Sequence, residues 1–263
     1  MLNNKDIEKL LYKKIISKNT IFYLSKYGFS FTSSGSIFLN FTDEKSKRNG
    51  CKKKCSFCYW KKYTKRLCPT NAEIEEYLKY CWGENISLSG GGDPLFNFSK
   101  NKTELARICN CLHSKGRKVE LISTEWDVID KELHFFIKEN IDKFAFSIQE
   151  KNLKLLQLLK KIEKVYGKEN IRIIKIYNKK ESYEQLLDFI NYYKDYVKCI
   201  YIRENYYDRI EKDDDFIFLK EKIQKDSDGN AILSRTALQL VLVGNEIFDI
   251  IFFDKILNNR IKL

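Results

Sequence analysis

The chain has 263 residues, of which 43% are apolar and 14% aromatic, and its formal net charge is +12. This length allows one large domain with short extensions, and the apolar share excludes a wholly disordered chain. No stretch reaches the roughly 18 uncharged apolar residues that a membrane span needs. The N-terminal residues also lack the apolar run of a signal peptide. We therefore expect a cytoplasmic protein that does not enter a membrane.

Apolar periodicity predicts strands alternating with helices through most of the chain. A short amphipathic helix comes first, with one apolar face formed by Ile7, Leu10, Leu11 and Ile15. Six strands are predicted at Ile37–Phe41, Ile86–Ser89, Lys118–Ser123, Lys143–Ile148, Ile171–Tyr177 and Val197–Arg203. Five helices are predicted between them, at Asn71–Trp82, Thr103–Ser114, Asp127–Asn140, Leu153–Tyr166 and Ser182–Asp195. This order implies parallel βαβ units, wound into a closed or partial barrel or into an open sheet.

The alternation is predicted to stop after Tyr206. Glu211–Asp215 is a mostly acidic run that we interpret as a solvated loop. The segments Thr236–Val243 and Glu246–Phe253 are typical of a β-hairpin that turns at Gly244-Asn245.

Three of the eight cysteines, Cys51, Cys55 and Cys58, lie close together after the first predicted strand. In a reducing compartment, clustered cysteines bind metal more often than they form disulfides. Three thiolates can hold one face of an iron–sulfur cubane, which leaves one iron without a protein ligand and able to bind a small molecule. The alternative is a zinc knuckle with Cys68 as the fourth ligand, because four thiolates also suit tetrahedral zinc.

A glycine-rich segment, Ser87-Leu-Ser-Gly-Gly-Gly-Asp-Pro-Leu95, follows the second predicted strand. Alone it also suits a phosphate loop, but it lacks the Lys-Ser/Thr ending of a P-loop and the spacing of a dinucleotide fingerprint. Taken together, the C-x3-C-x2-C spacing, the aromatic Phe57 before the third cysteine and this glycine segment one helix later resemble the radical S-adenosylmethionine (radical SAM) superfamily.

The resemblance covers roughly residues 36–205, and it implies a fold and two cofactors. The implied fold is α/β, a partial (β/α)6 TIM-like barrel with short extensions at residues 1–35 and 206–263. The implied cofactors are a [4Fe–4S] cluster and S-adenosylmethionine (SAM). Cys51, Cys55 and Cys58 would hold the cluster, which makes them both the metal ligands and the catalytic residues. In this family the reduced cluster cleaves SAM, and the resulting 5′-deoxyadenosyl radical abstracts hydrogen from a substrate. An external low-potential electron donor of the flavodoxin or ferredoxin type is also implied.

The resemblance further implies that SAM is held by Phe57, Gly90, Gly91, Gly92, Asp93, Ser123, Thr124, Ser147, Gln149 and Arg203. In relatives the glycine segment meets the methionine amino group, and the backbone of the aromatic before the third cysteine meets the adenine. The ends of strands three and four, which here include Glu125, often reach the ribose or the methionine carboxylate. Arg203 lies at the end of strand six, and we expect it to hold a carboxylate group or the substrate. The alternative is that it forms a surface ion pair with Glu204.

Ten cations within a stretch that contains no acid surround the cysteines. We call them the basic collar: Lys45, Lys47, Arg48, Lys52, Lys53, Lys54, Lys61, Lys62, Lys65 and Arg66. Aromatic residues are interleaved with them, namely Phe57, Tyr59, Trp60 and Tyr63. One interpretation is an electropositive mouth that attracts an anionic substrate. The other is a solvated lysine-rich loop that offsets the negative charge of the cluster.

Two substrate classes remain open at this point. One is a nucleotide or nucleic acid, and the other is a peptide or protein, including the activation of a glycyl-radical enzyme. The alternative to an enzyme is a non-catalytic module that binds zinc or an iron–sulfur cluster together with nucleic acid.

Overall fold

The computed structural model describes residues 35–42, 50–53, 55–56, 58, 65–79, 81, 83–126, 131–177, 181–204, 213–234, 241–243, 246–248 and 260–262. By its internal contacts the chain divides into two compact units. The first comprises Met1–Glu125, Ile129–Asp142 and Thr236–Leu263, and the second comprises Trp126–Val128 and Lys143–Arg235. The predicted N-terminal helix lies outside the described residues. Within the described part of the chain, no helix combines the length and the apolar character needed to cross a bilayer.

The first unit begins with parallel strands joined by helices. Its elements in chain order are β1 (Gly35–Leu39), α1 (Asn71–Leu78), β2 (Asn85–Gly91), α2 (Phe98–Ser114), β3 (Lys118–Ser123) and α3 (Lys131–Asn140). β2 pairs with β1 on one side and with β3 on the other, and Ile37, Leu88 and Leu121 lie side by side in register. All three side chains are fully buried, so the middle of each strand belongs to the core.

The helix α1 begins at the predicted capping box. The Thr70 hydroxyl accepts a hydrogen bond from Glu73 N, and the Glu73 carboxylate accepts one from Thr70 N. This exchange satisfies two backbone donors that a helix start leaves without partners. The helix buries Ile74 and Tyr77, and it ends at Leu78 rather than at the predicted Trp82.

Three further strands continue the sheet of the first unit. They are β8 (Val241–Val243), β9 (Glu246–Phe248) and β10 (Arg260–Lys262), with β8 parallel to β1 and the later two strands antiparallel to their neighbours. Val243 lies opposite Glu246, which leaves two residues for the turn between them. The predicted hairpin is therefore confirmed, although its turn lies outside the described residues.

The second unit is a parallel sheet in the order β4, β5, β6, β7. Its elements are β4 (Lys143–Ser147), α4 (Leu153–Tyr166), β5 (Ile171–Tyr177), α5 (Tyr183–Tyr193), β6 (Cys199–Glu204), α6 (Asp213–Asp226) and β7 (Ala231–Ser234). Short 3-10 turns follow α4 and α5, at Lys168–Asn170 and Lys194–Tyr196. β5 and α4 begin and end at the predicted residues.

The elements α6 and β7 correct the expectation that the alternation stops after Tyr206. The acidic run that we interpreted as a loop supplies the start of α6 at Asp213. Carboxylates are favourable in the first turn of a helix because they face its positive dipole end, so an acidic run also suits a helix start. β7 has only four residues and pairs in parallel with β6. The predicted α/β class is confirmed, with one more βα step than the sequence indicated.

Candidate functional site

Both flanks of the cysteine segment are tied to Asn40, a fully buried residue directly after β1. Asn40 Oδ1 accepts a hydrogen bond from Gly50 N at 2.7 Å, and Asn40 Nδ2 donates one to Lys65 O at 2.7 Å. The Asn40 backbone also exchanges two hydrogen bonds of 3.0 Å with Leu67. One residue thus fixes the chain just before Cys51 and again after the last cysteine of the motif. The sequence did not single out Asn40, because asparagine at a strand end is an ordinary turn residue.

The three cysteines of the motif are half-buried. Cys58 N donates a hydrogen bond of 3.2 Å to Cys55 O, so these two residues share one tight turn. Burial, together with the nearby Cys58 thiol, raises the pKa of Cys55. Burial and the carboxylates of Asp93 and Glu125 raise the pKa of Cys51 to about 12. Hydrogen bonds from the Lys53 backbone and the Thr124 side chain lower this pKa but do not outweigh burial and the two carboxylates, so a thiolate at Cys51 needs further positive charge beside it.

The cysteine segment meets the glycine segment at Gly50 and Gly92. Gly50 O accepts a hydrogen bond from Asp93 N at 2.7 Å, and Gly92 N donates one to Leu39 O at 2.8 Å. A Cβ atom on Gly92 would lie 2.5 Å from Gly50 O and 2.7 Å from Asn40 Oδ1, which is closer than real Cβ contacts allow. Glycine is therefore required here by the contact between the two motifs, independently of any ligand.

The other two glycines of the motif lie at the end of β2 with positive φ angles, +62° at Gly90 and +72° at Gly91. Side chains other than hydrogen are strained in this region of the backbone map. A Cβ on Gly91 would also lie 2.9 Å from a methyl of Leu67. The motif thus turns tightly against the end of the cysteine segment.

The Asp93 carboxylate is buried and accepts four hydrogen bonds from the protein itself. Oδ1 accepts from Ser123 Oγ at 2.7 Å and from Leu95 N at 3.0 Å, and Oδ2 accepts from Thr124 N at 2.7 Å and from Thr124 Oγ1 at 2.9 Å. A carboxylate offers about four lone-pair sites, so Asp93 has its acceptors occupied. Asp93 therefore braces the end of β2 against the end of β3. That Asp93 meets the amino group of SAM remains a prediction.

Glu125 is a second buried carboxylate beside the cysteines. Its Oε1 accepts a hydrogen bond from Lys52 N at 2.9 Å, and its Oε2 lies 3.2 Å from Lys52 Nζ. This ion pair lacks hydrogen-bond geometry, so among the described residues Oε2 accepts no hydrogen bond. Ligand atoms of Cys51, Asp93 and Glu125 all lie within 4.8 Å of one another. One thiol and two carboxylates at this distance make a strongly electronegative pocket, which suits a positive ion or an ammonium group.

The predicted ligands Ser147 and Gln149 lie in the second unit, where Gln149 contacts a buried lysine that the sequence did not single out. Lys175 Nζ donates to Gln149 O at 2.8 Å and pairs with Glu181 Oε1 at 2.9 Å. Gln149 Oε1 accepts a hydrogen bond from Ile176 N at 2.9 Å, which fixes the orientation of the side-chain amide. Its Nε2, the donor atom, then points towards Ser147 Oγ at 3.4 Å.

Arg203 also belongs to the second unit, where it lies half-buried on β6 opposite Ile176 of β5. The side chain of its proposed ion-pair partner, Glu204, is outside the described set. Phe57 is outside it as well. The structure thus brings together the cysteine segment, the glycine segment and the Ser123–Thr124 pair in the first unit, and places Ser147, Gln149 and Arg203 in the second.

Cys68, the fourth ligand of the zinc alternative, takes part in a separate polar network. Its thiol donates to Glu104 Oε2 at 3.4 Å and accepts from Arg107 Nη2 at 3.7 Å. The three-residue metal-ligand group found among the described residues contains Cys51 together with Asp93 and Glu125, and it includes neither Cys55, Cys58 nor Cys68. That the three cysteines of the motif hold one cluster therefore stays a prediction.

The basic collar is described in part. Lys52, Lys53, Lys65 and Arg66 are exposed. The other six cations and the four interleaved aromatic residues lie outside the described residues.

Comparisons with known proteins identify the fold. No protein-family profile and no curated sequence match the chain. Structures of SuiB from Streptococcus suis match the whole chain with TM-scores of 0.59 to 0.60 at 16 to 17% identity, over 67 to 69% of SuiB. One of them is bound to SAM and another to the precursor peptide SuiA. Structures of anSMEcpe match 84% of the chain with TM-scores of 0.53 at 11 to 13% identity, over 74 to 75% of that protein. These contain AdoMet, and one also contains the Cp18Cys peptide.

The chain has the fold of the radical SAM enzymes. The resemblance predicted from the two motifs is confirmed at this level. Within a radical SAM fold, Asn40, Asp93 and Glu125 follow the carboxyl ends of β1, β2 and β3. Active sites of parallel α/β folds lie at that end of the strands.

Proposed function

We propose that the protein is a radical SAM enzyme, which cleaves SAM reductively at a [4Fe–4S] cluster held by Cys51, Cys55 and Cys58. The observation that carries the proposal is the bracing of the cysteine segment by the ends of three successive strands, through Asn40, Asp93 and Glu125. When bound, the reduced cluster supplies the electron that breaks the C5′–S bond of SAM, and the 5′-deoxyadenosyl radical takes hydrogen from the substrate.

The residues present fit such a cluster. Three thiols lie within eight residues of one segment, and Cys55 and Cys58 share a turn, which suits a cluster that takes three thiolates from one stretch of chain. The raised pKa of Cys51 points the same way, because iron supplies the positive charge that a thiolate needs between two carboxylates.

We assign the amino group of SAM to Glu125 rather than to Asp93. Glu125 Oε2 is buried and accepts no hydrogen bond from a described residue, whereas the four acceptor sites of Asp93 are occupied. An ammonium group next to Glu125 would complete the hydrogen bonding of this carboxylate. Asp93, Ser123 and Thr124 then act by holding the strand ends in place.

For the rest of SAM we keep the contacts that the family resemblance implies. They are made by the backbone of Gly90, Gly91 and Gly92, by the Phe57 backbone and by the strand-end residues of the second unit. Gln149 presents its Nε2 donor, so its partner on SAM must be an acceptor such as a ribose hydroxyl or a carboxylate oxygen. We propose a core that spans residues 36–234 rather than 36–205, because α6 and β7 continue the alternation. The segments 1–35 and 235–263 are then the extensions.

For the substrate, we favour a peptide or protein over a nucleic acid. The support is an analogy of fold, since SuiB and anSMEcpe structures contain peptides. A low-potential electron donor of the flavodoxin or ferredoxin type and a cytoplasmic setting complete the proposal.

The cofactor test is anaerobic reconstitution followed by iron and zinc analysis and by assay of 5′-deoxyadenosine with SAM and dithionite. Wild type should hold about four iron ions per chain and release 5′-deoxyadenosine. Alanine at Cys51, Cys55 or Cys58 should abolish both readouts. The matched control, Cys68→Ala, should preserve them, because that thiol belongs to the Glu104–Arg107 network.

Two outcomes would overturn the proposal. Stoichiometric zinc that is lost in Cys68→Ala would favour the non-catalytic zinc module. An intact cluster that binds SAM without cleaving it, with candidate substrates present, would favour an electron carrier or a sensor.

The substrate class is tested by anaerobic incubation with deuterium-labelled peptide and nucleic-acid fractions, followed by mass spectrometry of 5′-deoxyadenosine. Deuterium should pass from the peptide fraction into 5′-deoxyadenosine, because the radical abstracts hydrogen directly from the substrate. Transfer from the nucleic-acid fraction alone would reverse our preference.

A further inference from the structure

A buried lysine lies on β5, on the side of the sheet that packs against α5. Lys175 is only 3% exposed, and its Nζ lies 4.6 Å from the centroid of the Phe189 ring. The same Nζ donates to Gln149 O at 2.8 Å and pairs with Glu181 Oε1 at 2.9 Å. An ammonium group has three hydrogens, and this one is surrounded by a carbonyl, a carboxylate and the face of an aromatic ring. Lys175 is thus held in a single place.

Burial of such a charge does not by itself stabilise a fold. Removing a lysine from water is costly, and replacing a buried ion pair by apolar side chains of similar size is often neutral or stabilising. An apolar residue would suit this position, because Ile171 and Ile173 share the same face of β5 and are buried. The contact with Gln149 gives the charge a role that an apolar residue could not fill.

Three consecutive residues of β5 hold the chain that follows β4. Ile174 O accepts a hydrogen bond from Ile148 N at 3.0 Å. Lys175 Nζ donates to Gln149 O, and Ile176 N donates to Gln149 Oε1 at 2.9 Å. In a continued parallel ladder a backbone carbonyl would accept from Ile176 N. Here a side-chain oxygen takes that place, so Gln149 is held at both its backbone carbonyl and its side-chain amide.

These contacts direct the amide nitrogen of Gln149. With Oε1 on Ile176 N, Nε2 is the donor end, and it lies 3.4 Å from Ser147 Oγ, at the long limit of a hydrogen bond. A free glutamine side chain loses rotational freedom when it binds a ligand. Gln149 has lost that freedom already, and a side chain that is fixed in its binding orientation raises affinity because binding no longer has to restrict it.

We propose that Lys175 is a positioning residue, which holds Gln149 so that Nε2 donates to a hydroxyl or carboxylate oxygen of SAM. The inference rests on the proposed function and on its assignment of Gln149 to SAM, and Lys175 itself touches no cofactor in it. A purely structural lysine would stabilise the second unit without changing how Gln149 binds. The two roles therefore differ in whether the effect of Lys175 depends on Gln149.

The test is a double-mutant cycle in the reconstituted protein, with the Kd of SAM measured by equilibrium dialysis. Lys175→Met keeps the length of the side chain and removes the donor, and it should raise the Kd by roughly tenfold. Gln149→Ala should raise the Kd by at least as much. The double variant should lie within about twofold of Gln149→Ala alone, because Lys175 acts through Gln149. If the lysine were purely structural, the two effects would multiply.

A second readout is independent of SAM. In the reconstituted protein without SAM, hydrogen exchange in a peptide that covers β5 should become faster for on the order of one amide in Lys175→Met and in Gln149→Ala. The reason is that Ile176 N loses a fixed acceptor.

Glu181→Gln is a milder variant, which keeps the test decisive if Lys175→Met does not fold. It keeps an acceptor for Lys175 Nζ but removes the negative charge. It should therefore raise the Kd of SAM about threefold where Gln149 is present, and not in the Gln149→Ala background.

The matched control is Ser227→Ala in the same unit. Ser227 is fully buried, and its hydroxyl accepts a hydrogen bond from Ala231 N at 3.1 Å, at the start of β7. The variant should lose stability in urea but keep the Kd of SAM within about twofold of wild type, because Gln149 keeps its contacts.

An unchanged Kd in Lys175→Met, independent effects of the two substitutions, or unchanged exchange in β5 would overturn the role of Lys175. An equally weakened Kd in Ser227→Ala would do so as well, since general destabilisation would then explain the loss. Release of 5′-deoxyadenosine is measured in the same samples. If wild type binds and cleaves SAM while the cycle shows no coupling, this inference fails alone; if wild type does neither, the proposed function fails.

Discussion

Asn40 Oδ1 accepts a hydrogen bond from Gly50 N at 2.7 Å, and this contact fixes where the cysteine segment lies relative to β1. Through Asn40 Nδ2 and Lys65 O, the same side chain also holds the far end of the segment. Asn40 is fully buried, so neither hydrogen bond can be replaced by bulk water. The cysteines are thus positioned by a residue that binds no cofactor in our proposal.

Replacing Asn40 by leucine should lower both stability and cluster retention. The buried Gly50 N loses its acceptor, which should cost about 1–3 kcal/mol, and the Lys65 carbonyl loses a part-buried hydrogen bond. The measurement is iron per chain after reconstitution, together with the free energy of unfolding in urea. The matched control is Asn140→Leu, which removes a buried asparagine that donates to Phe136 O at 2.9 Å, away from the cysteines. Asn140→Leu should lose stability but keep its iron; equal iron loss in both variants would contradict the role of Asn40.

Gly92→Ala should separate the cysteine segment from the glycine segment. The added methyl group would overlap Gly50 O and Asn40 Oδ1, both of which are fixed by hydrogen bonds. Overpacking of this kind costs about 1–3 kcal/mol, and here it also displaces the residue before Cys51.

Gly116→Ala is the control for Gly92→Ala. Gly116 has a φ of +69° and open space around a Cβ, so alanine there carries only backbone strain, about 1–2 kcal/mol. Iron content after reconstitution should fall in Gly92→Ala and stay at the wild-type level in Gly116→Ala. A Gly92→Ala protein with full iron and normal SAM affinity would show that the contact is dispensable.

Asp93→Ala should weaken SAM binding and cluster retention together. The Asp93 carboxylate accepts four hydrogen bonds that join the ends of β2 and β3, and Asp93 N donates to Gly50 O of the cysteine segment. Asp93→Asn should also be impaired. The asparagine NH2 group is a donor, and it would replace an oxygen that now accepts hydrogen bonds from two donors. SAM affinity is measured by equilibrium binding and iron by colorimetric assay.

The control for Asp93 is Asp142→Asn. Asp142 Oδ2 accepts from Val119 N at 2.8 Å and lies 2.9 Å from His113 Nε2, so this carboxylate also braces backbone but lies away from the two motifs. Its variant should lose stability without losing SAM affinity. If Asp93→Ala loses SAM affinity while its iron and stability remain normal, Asp93 contacts SAM directly and our assignment to Glu125 is wrong.

Tyr193 should make the stability of the protein depend on alkaline pH. Its hydroxyl accepts a hydrogen bond from Asn152 N at 2.8 Å, at the start of α4, and burial raises its pKa from 10.0 to about 12. A raised pKa in the folded state means that the neutral hydroxyl is favoured there. Its contribution is therefore complete below pH 10 and is lost as the pH rises from 10 towards 12.

Urea unfolding of wild type and Tyr193→Phe at several pH values tests this expectation. Near neutral pH the variant should be less stable by about 1 kcal/mol, because Asn152 N loses its acceptor. Above pH 10 the stability of wild type should fall more steeply than that of the variant, so the two curves should converge. Parallel curves over this range would show that Tyr193 ionises equally in both states.

The sequence by itself determined the two motifs and the order of the elements around them. Strands such as Ile171–Tyr177 and helices such as Leu153–Tyr166 were predicted at their observed ends, because apolar periodicity is a local property of the chain. Local patterns failed where they are weak. The start of α6 is acidic and β7 has four residues, so neither element stood out from a loop.

Only the tertiary structure decided how the motifs are held and what the individual side chains can do. Lys52 N meets the Glu125 carboxylate across 73 positions of sequence, and Ser123 Oγ meets Asp93 across 30. No local pattern encodes such pairs, since they depend on which strands become neighbours. The same holds for the placement of Arg172 over Tyr201, which follows from the register of β5 and β6. The residue types that make the chemistry possible are visible in the chain. The four hydrogen bonds of Asp93 and the contacts of Glu125 with Lys52 arise only when separate segments meet.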